Sequence, residues 1–258
     1  MCLIVVAWRA RADLPLVVAA NRDEWRDRPA EPARWWADSG ILAGRDLQAG
    51  GTWLGVTRSG RFAAVTNFRD PADKRSTARS RGALVTEFLS SHLPPRTYCE
   101  QLREHVRDYN GFNLILGDGD SLVYYGSREG DARAIAPGVH GLSNHLLDEP
   151  WPKVVRGRHA MEASLGDSDP APRLFEMLSD PDGAPDERLP STGVGIAWER
   201  RLAAALIIGD DYGTRVSTVL SVSAAGEVAF EERTRTPEGG VAGTAKHKFA
   251  APSSVRAK

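Results

Sequence analysis

The chain opens with two apolar runs, Cys2–Trp8 and Pro15–Asn21, joined by a short polar segment containing Asp13. Both are rich in Val and Ile and too short for confident helices, so they read as paired strands buried on both faces. A Pro- and Trp-bearing loop is expected from Trp25 to Trp36, followed by strands over Ile41–Arg45, Thr52–Thr57 and Arg61–Asn67. Arg58-Ser59-Gly60 supplies a hairpin turn between the last two.

Arg69–Ser80 reads as a polar surface loop. Helical spacing begins at Arg81, where Leu84, Val85, Phe88 and Leu89 share one face. Pro94-Pro95 ends that helix and opens another, reaching about Tyr109. Asn113–Leu116 and Leu122–Tyr125 form a hairpin, with more short strands to Leu142. Trp151–Leu165 and Pro172–Ser179 look helical, Asp180–Pro190 is a linker, and Thr214–Val222 with Glu227–Thr234 closes the fold as a hairpin. Strands, then helices, then strands argue an α+β fold with antiparallel sheets rather than alternating βαβ units. One domain is expected over residues 1–236. Residues 237–258, without periodicity, are expected to be a disordered tail.

With 258 residues, the chain can bury a sizeable core. A net charge of -1 gives no field to recruit nucleic acid or an anionic membrane. Two cysteines indicate no disulfide framework, and neither a signal peptide nor a run of about 20 apolar residues is visible. A cytoplasmic protein with a small-molecule partner is expected, its oligomeric state open.

Cys2 carries the strongest chemical signal. A free thiol titrates near 8.5 and attacks only as thiolate. If Met1 is excised, the new α-amino group titrates near 7.7–8.0 and can accept the thiol proton, so one residue supplies nucleophile and base. On position alone, a buried, inert strand cysteine is the competing account. Asn21-Arg22-Asp23-Glu24 closes the second apolar run, where Arg22 can meet the thiolate and Asp23 the ammonium. Asn67 and Asn144 end further apolar runs, and an Asn amide aimed at an oxyanion is worth roughly 2.7–4 kcal/mol in serine proteases. Each Asn alone reads first as a turn residue. His140, His145 and Asp148 have no recognised metal spacing, and no metal or cofactor is expected.

The opening Met1-Cys2, Pro15-Leu16-Val17-Val18-Ala19-Ala20-Asn21-Arg22-Asp23-Glu24-Trp25 and Arg28-Pro29 resemble the NRDE family, which includes the transport and Golgi organisation protein two homologues. Further matches are Gly50-Gly51-Thr52-Trp53-Leu54-Gly55, Thr66-Asn67-Phe68-Arg69, Leu142-Ser143-Asn144, Asp148-Glu149-Pro150-Trp151-Pro152-Lys153 and Tyr212-Gly213-Thr214-Arg215. The resemblance implies an N-terminal-nucleophile hydrolase-like four-layer αββα sandwich, related to penicillin V acylase and bile-salt hydrolase. Carried over by motif, Cys2 matches the nucleophile, Arg22 the first Arg, Asn67 and Asn144 the two Asn residues, and Arg215 the late Arg. The acylases place an Asp three residues after the Arg. That position here is Trp25, with Asp23 beside Arg22 instead.

The resemblance therefore implies a cysteine hydrolase of a non-peptide amide or (thio)ester. The alternative is a haem or acyl-lipid/acyl-coenzyme A binding and trafficking protein on the same fold, with Trp25, Trp35, Trp36 and Trp53 lining its pocket.

Overall fold

Side-chain alternation along the first two strands organises the molecule. The structure, a computed structural model, describes residues 2–73 and 75–251. β1 (Cys2–Trp8) and β2 (Leu16–Trp25) pair antiparallel, Cys2 opposite Arg22 and Trp8 opposite Leu16. Ile4, Val6, Val18 and Ala20 point to one side of this pair, and Leu3, Val5, Val17 and Ala19 to the other. Both faces are buried, as their unbroken apolar character requires.

Among the described residues, β1 and β2 belong to a six-stranded sheet. Its order is β10 (Gly138–Leu142), β1, β2, β11 (Tyr212–Val222), β12 (Glu227–Arg235) and β13 (Val241–Ala250). The second sheet runs in chain order through β3 (Ala30–Trp35), β4 (Ile41–Asp46), β5 (Leu54–Thr57), β6 (Phe62–Asn67), β7 (Phe112–Gly117), β8 (Leu122–Gly126) and β9 (Ala132–Ala134). Every ladder in both is antiparallel.

The sheets face each other through one apolar layer, where Ile4, Val18 and Leu220 meet Leu42, Phe62 and Ile115. α3 (Pro152–Ser164) and α4 (Ala171–Leu178) cover the outer face of the first sheet, burying Val154, Met161, Leu174 and Phe175. α1 (Gly82–Ser90) and α2 (Pro95–Leu102) cover the second. Each fully buried Leu, Ile, Val or Phe contributes roughly 1.5–3 kcal/mol. The result is the expected four-layer αββα sandwich.

Three elements differ from expectation. The Trp25–Trp36 loop contains β3, an edge strand whose Pro32 falls inside the register shift between Glu31 and Arg34. Pro is tolerated at an edge or bulge because no ladder hydrogen bond is asked of it there. α5 (Ile196–Leu202) follows a Gly-rich stretch with no clear helical spacing and buries only Glu199 and Leu202.

The expected tail is also corrected. Val241–Ala250 is β13, paired with β12 from Arg235↔Val241 to Glu227↔Ala250. Most of its side chains are small or charged because an edge strand is held mainly by its ladder, while Lys246 and Lys248 discourage further pairing. Phe249 anchors it against Trp35, ring centroids 4.9 Å apart. The remainder of that expectation, 252–258, lies outside the described residues, as does Met1. No helix among the described residues is long and apolar enough to cross a membrane.

Candidate active site

Cys2 begins β1, and its register partner Arg22 lies near the end of β2. Directly opposite residues project to the same face, so thiol and guanidinium emerge together on the side that faces the second sheet. A cavity of about 480 Å³ opens at this end of the sandwich, with Cys2, Arg22, Asn67, Arg81, Arg215 and Glu232 in its wall. Cys2 is only 7% exposed. Burial pushes its thiol up, Asp23 adds to that rise, and Arg22 opposes it. Cys99, fully enclosed under the second sheet, is pushed up to about 12 by burial.

Asn67 lines the cavity at the end of β6. Asn144 is fully buried and does not line it. Its Nδ2 donates to the Asn67 carbonyl at 2.9 Å, while its own carbonyl accepts from the Arg69 backbone N–H at 2.7 Å. The neighbouring Ser143 hydroxyl donates to the Cys2 carbonyl at 3.0 Å. Ser143 and Asn144 thus tie the start of β1 to the end of β6. Asn67 is the Asn that lines the cavity, and Asn144 holds its backbone.

Asp23 follows Arg22, so alternation turns its carboxylate to the helix side of the sheet. Asn21 points the same way and donates to the Leu178 and Ala205 carbonyls at 2.9 and 2.8 Å. Thr214, opposite Asp23 on β11, donates to Asp23 Oδ1 at 2.7 Å. Burial raises the Asp23 pKa, with Lys153 the largest opposing charge. Lys153, 2% exposed in the first turn of α3, is pulled down to about 8 by burial, and Asp23 opposes that fall. Its Nζ has no hydrogen-bond partner among the described residues. Arg69, buried beside this group, pairs with Glu199 at 2.6 Å. Glu199 also accepts from the Thr192 N–H and hydroxyl at 2.8 and 2.6 Å. Sequence reasoning gave Lys153, Arg69, Glu199 and Thr214 no role. Three of them sit inside the Asp148–Lys153, Thr66–Arg69 and Tyr212–Arg215 motifs, which was the available signal.

Arg215 is the extra residue of a bulge in β11, between the Thr214↔Asp23 and Val216↔Arg22 pairs. A bulge re-aims a side chain. Here Nη1 donates to the carbonyls of Trp25 and Arg28 at 2.8 and 3.0 Å and fixes the chain leaving β2. Glu232, 3% exposed in the cavity wall, accepts from the Ala33 N–H at 2.7 Å and is raised to about 7 by burial.

The four tryptophans named for a carrier pocket do not gather. Only Trp53 borders the cavity. Trp36 packs under α1, Trp35 against Phe249, and Trp25 against Trp198 and Tyr212.

The family model described as Transport and Golgi organisation 2 matches residues 1–237, the stretch that supplies every residue of this site. The chain belongs to that family. The Bos taurus Transport and Golgi organization protein 2 homolog is 38% identical over 237 residues, covering 84% of this chain and 86% of the relative. The Homo sapiens homolog is 36% identical with the same coverage. The Drosophila melanogaster Transport and Golgi organization protein 2 is 26% identical over 255 residues, 86% of each chain. Among solved structures, this family member is similar to the mutant C2A conjugated bile acid hydrolase from Clostridium perfringens, with TM-score 0.49 and 9% identity over 97% of this chain and 98% of that one. It is also similar to the Caenorhabditis elegans N-acylethanolamine-hydrolyzing acid amidase ortholog, with TM-score 0.43 and 11% identity over 85% of this chain and 92% of that one.

Proposed function

We propose that this chain is a cysteine hydrolase of a non-peptide amide or (thio)ester, with Cys2 as its nucleophile once Met1 is removed. One observation carries the reading: a strand-end thiol shares a cavity wall with the arginine opposite it and with Asn67. Burial raises this thiol, so a base has to be supplied locally. The freed α-amine of Cys2 is that base.

The amine takes the thiol proton and sulfur attacks the carbonyl carbon, forming a C–S bond. The oxyanion is held by Asn67 and a backbone N–H. As the tetrahedral adduct collapses, the C–N, C–O or C–S bond of the substrate breaks and the ammonium returns its proton to the leaving group. Water, deprotonated by the same amine, then releases the acyl group and restores the thiol. Arg22 stabilises the thiolate. Asp23, from the opposite side of β2, stabilises the ammonium.

The test is intact mass together with a screen of amides, lactones and acyl thioesters on wild type and Cys2→Ala. Loss of Met1, and turnover confined to the wild type, is the expected result. Turnover by protein that retains Met1 removes the α-amine mechanism, and turnover by Cys2→Ala removes the nucleophile.

A further inference from the structure

The cavity is furnished for an anion. Among the described residues, seven arginines line it against five carboxyl groups. Two of those five count for less than a full charge there: Asp23 sends its carboxylate to the helix side, and Glu232 is raised to about 7. Four of the arginines have acidic neighbours. Arg28 contacts Asp46 at 2.6 Å, Arg22 lies 3.5 Å from Glu24 and 3.6 Å from Asp46, Arg79 pairs with Glu87, and Arg45 reaches Asp38 at 3.9 Å.

Arg75, Arg81 and Arg215 make no ion pair among the described residues. Their hydrogen bonds go to backbone carbonyls: Arg75 to Arg107 and Tyr109, Arg81 to Gly111, Arg215 to Trp25, Arg26 and Arg28. A guanidinium stays charged throughout the accessible pH range and carries five donors in a planar fork. Arg81 uses one, at 3.2 Å, and sits within electrostatic reach of Cys2 and Glu24. Carbonyl oxygens orient such a group without cancelling its charge, and the remaining fork matches the two oxygens of a carboxylate or phosphate.

We infer that the substrate carries an oxyanion, carboxylate or phosphate, that Arg81, with Arg75 and Arg215 of the same cavity wall, holds beside Cys2. This rests on the hydrolase reading, since it assigns that site a class of acyl substrate. Anion binding is nonetheless measurable without turnover. Inorganic pyrophosphate and succinate, titrated calorimetrically into the full-length chain, stand in for the two kinds of oxyanion, and Cys2 alkylation by neutral iodoacetamide reports occupancy beside the thiol.

The expected result is that one of the two binds, that it slows Cys2 alkylation at saturation, and that Arg81→Gln weakens it by about tenfold, one bidentate charge-assisted contact. Pyrophosphate as the binder assigns a phosphorylated substrate, and succinate a carboxylated one. Arg81→Lys, which keeps the charge without the fork, is expected to fall between. Binding of neither anion overturns the inference. So does binding that leaves the rate of a measurable Cys2 alkylation unchanged, or that Arg81→Gln leaves unaltered while the variant keeps the wild-type melting temperature. Calorimetric binding to a Cys2 that iodoacetamide never modifies would sink the hydrolase reading and leave the anion site standing.

Discussion

Cys2 and Arg22 stand directly opposite one another across the β1–β2 ladder and share a face, while Asp23 is turned through the sheet. Two electrostatic environments are therefore built on consecutive residues of one strand. The cavity side holds the thiol and its arginine. The helix side holds a buried carboxylate opposed by Lys153.

Arg22 opposes the rise that burial imposes on the Cys2 thiol. Arg22→Gln is expected to raise that pKa further, through loss of a neighbouring opposite charge. The thiolate fraction at neutral pH then falls, and iodoacetamide alkylation of Cys2 slows with it. The pH dependence of the alkylation rate, followed by mass spectrometry, checks this. Cys99, buried and raised to about 12, is expected to stay unmodified in the folded chain and to serve as the internal control.

The helix-side pair is tested by a double-mutant cycle. Lys153→Met leaves Asp23 without its largest opposing charge, and Asp23→Asn leaves Lys153 without the carboxylate that keeps it protonated. Each single change is expected to destabilise the chain, and the double variant by less than their sum, with a coupling of about 0.5–3 kcal/mol by denaturant unfolding. Asp23→Asn should also shift the Lys153 titration below its present value of about 8. Folded Lys153 sits below its ordinary 10.5, so the unfolded chain holds more protons between about 8 and 10.5 and wild-type stability rises with pH across that window.

Arg69 and Glu199 form a second buried pair, each side chain 4% exposed. Removing one partner strands the other charge away from water, and such losses run to about 3–5 kcal/mol. Glu199→Gln is the gentler variant because Gln can still accept from Thr192. It is expected to lower the melting temperature less than Arg69→Met, and circular dichroism melts would rank the two.

Much of this was legible from the chain, for identifiable reasons. The β1–β2 pair could be read because both its faces are buried and its apolar run is unbroken, and that pairing placed Cys2 beside Arg22. What escaped depended on contacts that no local pattern encodes. β13 is held by its ladder with β12 rather than by apolar side chains, so its sequence resembles a tail. Asn144 reads from the chain only as the end of an apolar run, and that one N–H of its amide reaches the Asn67 carbonyl some 77 positions away is visible only in the fold. Asp23, Lys153 and Thr214 come from three separated segments, and only the alternation of β2 against β11 and α3 shows that they share one side.

Glu232 offers a pH-dependent signature that separates the cavity from the rest of the molecule. Burial lifts its carboxyl from 4.5 to about 7, so folding favours the protonated form. The folded chain then holds more protons than the unfolded chain between those values. Stability is fully present below about 4.5 and declines as pH rises through about 7. At 1.36 kcal/mol per unit, the effect is on the order of 3–4 kcal/mol at most. Glu232→Gln keeps an oxygen to accept from the Ala33 N–H and removes the titration. It is expected to match wild type near pH 4.5 and to exceed it in denaturant midpoint at pH 8. An unchanged difference between the two across that range would mean that Glu232 ionises without cost, and that the cavity wall is wetter than its 3% exposure indicates.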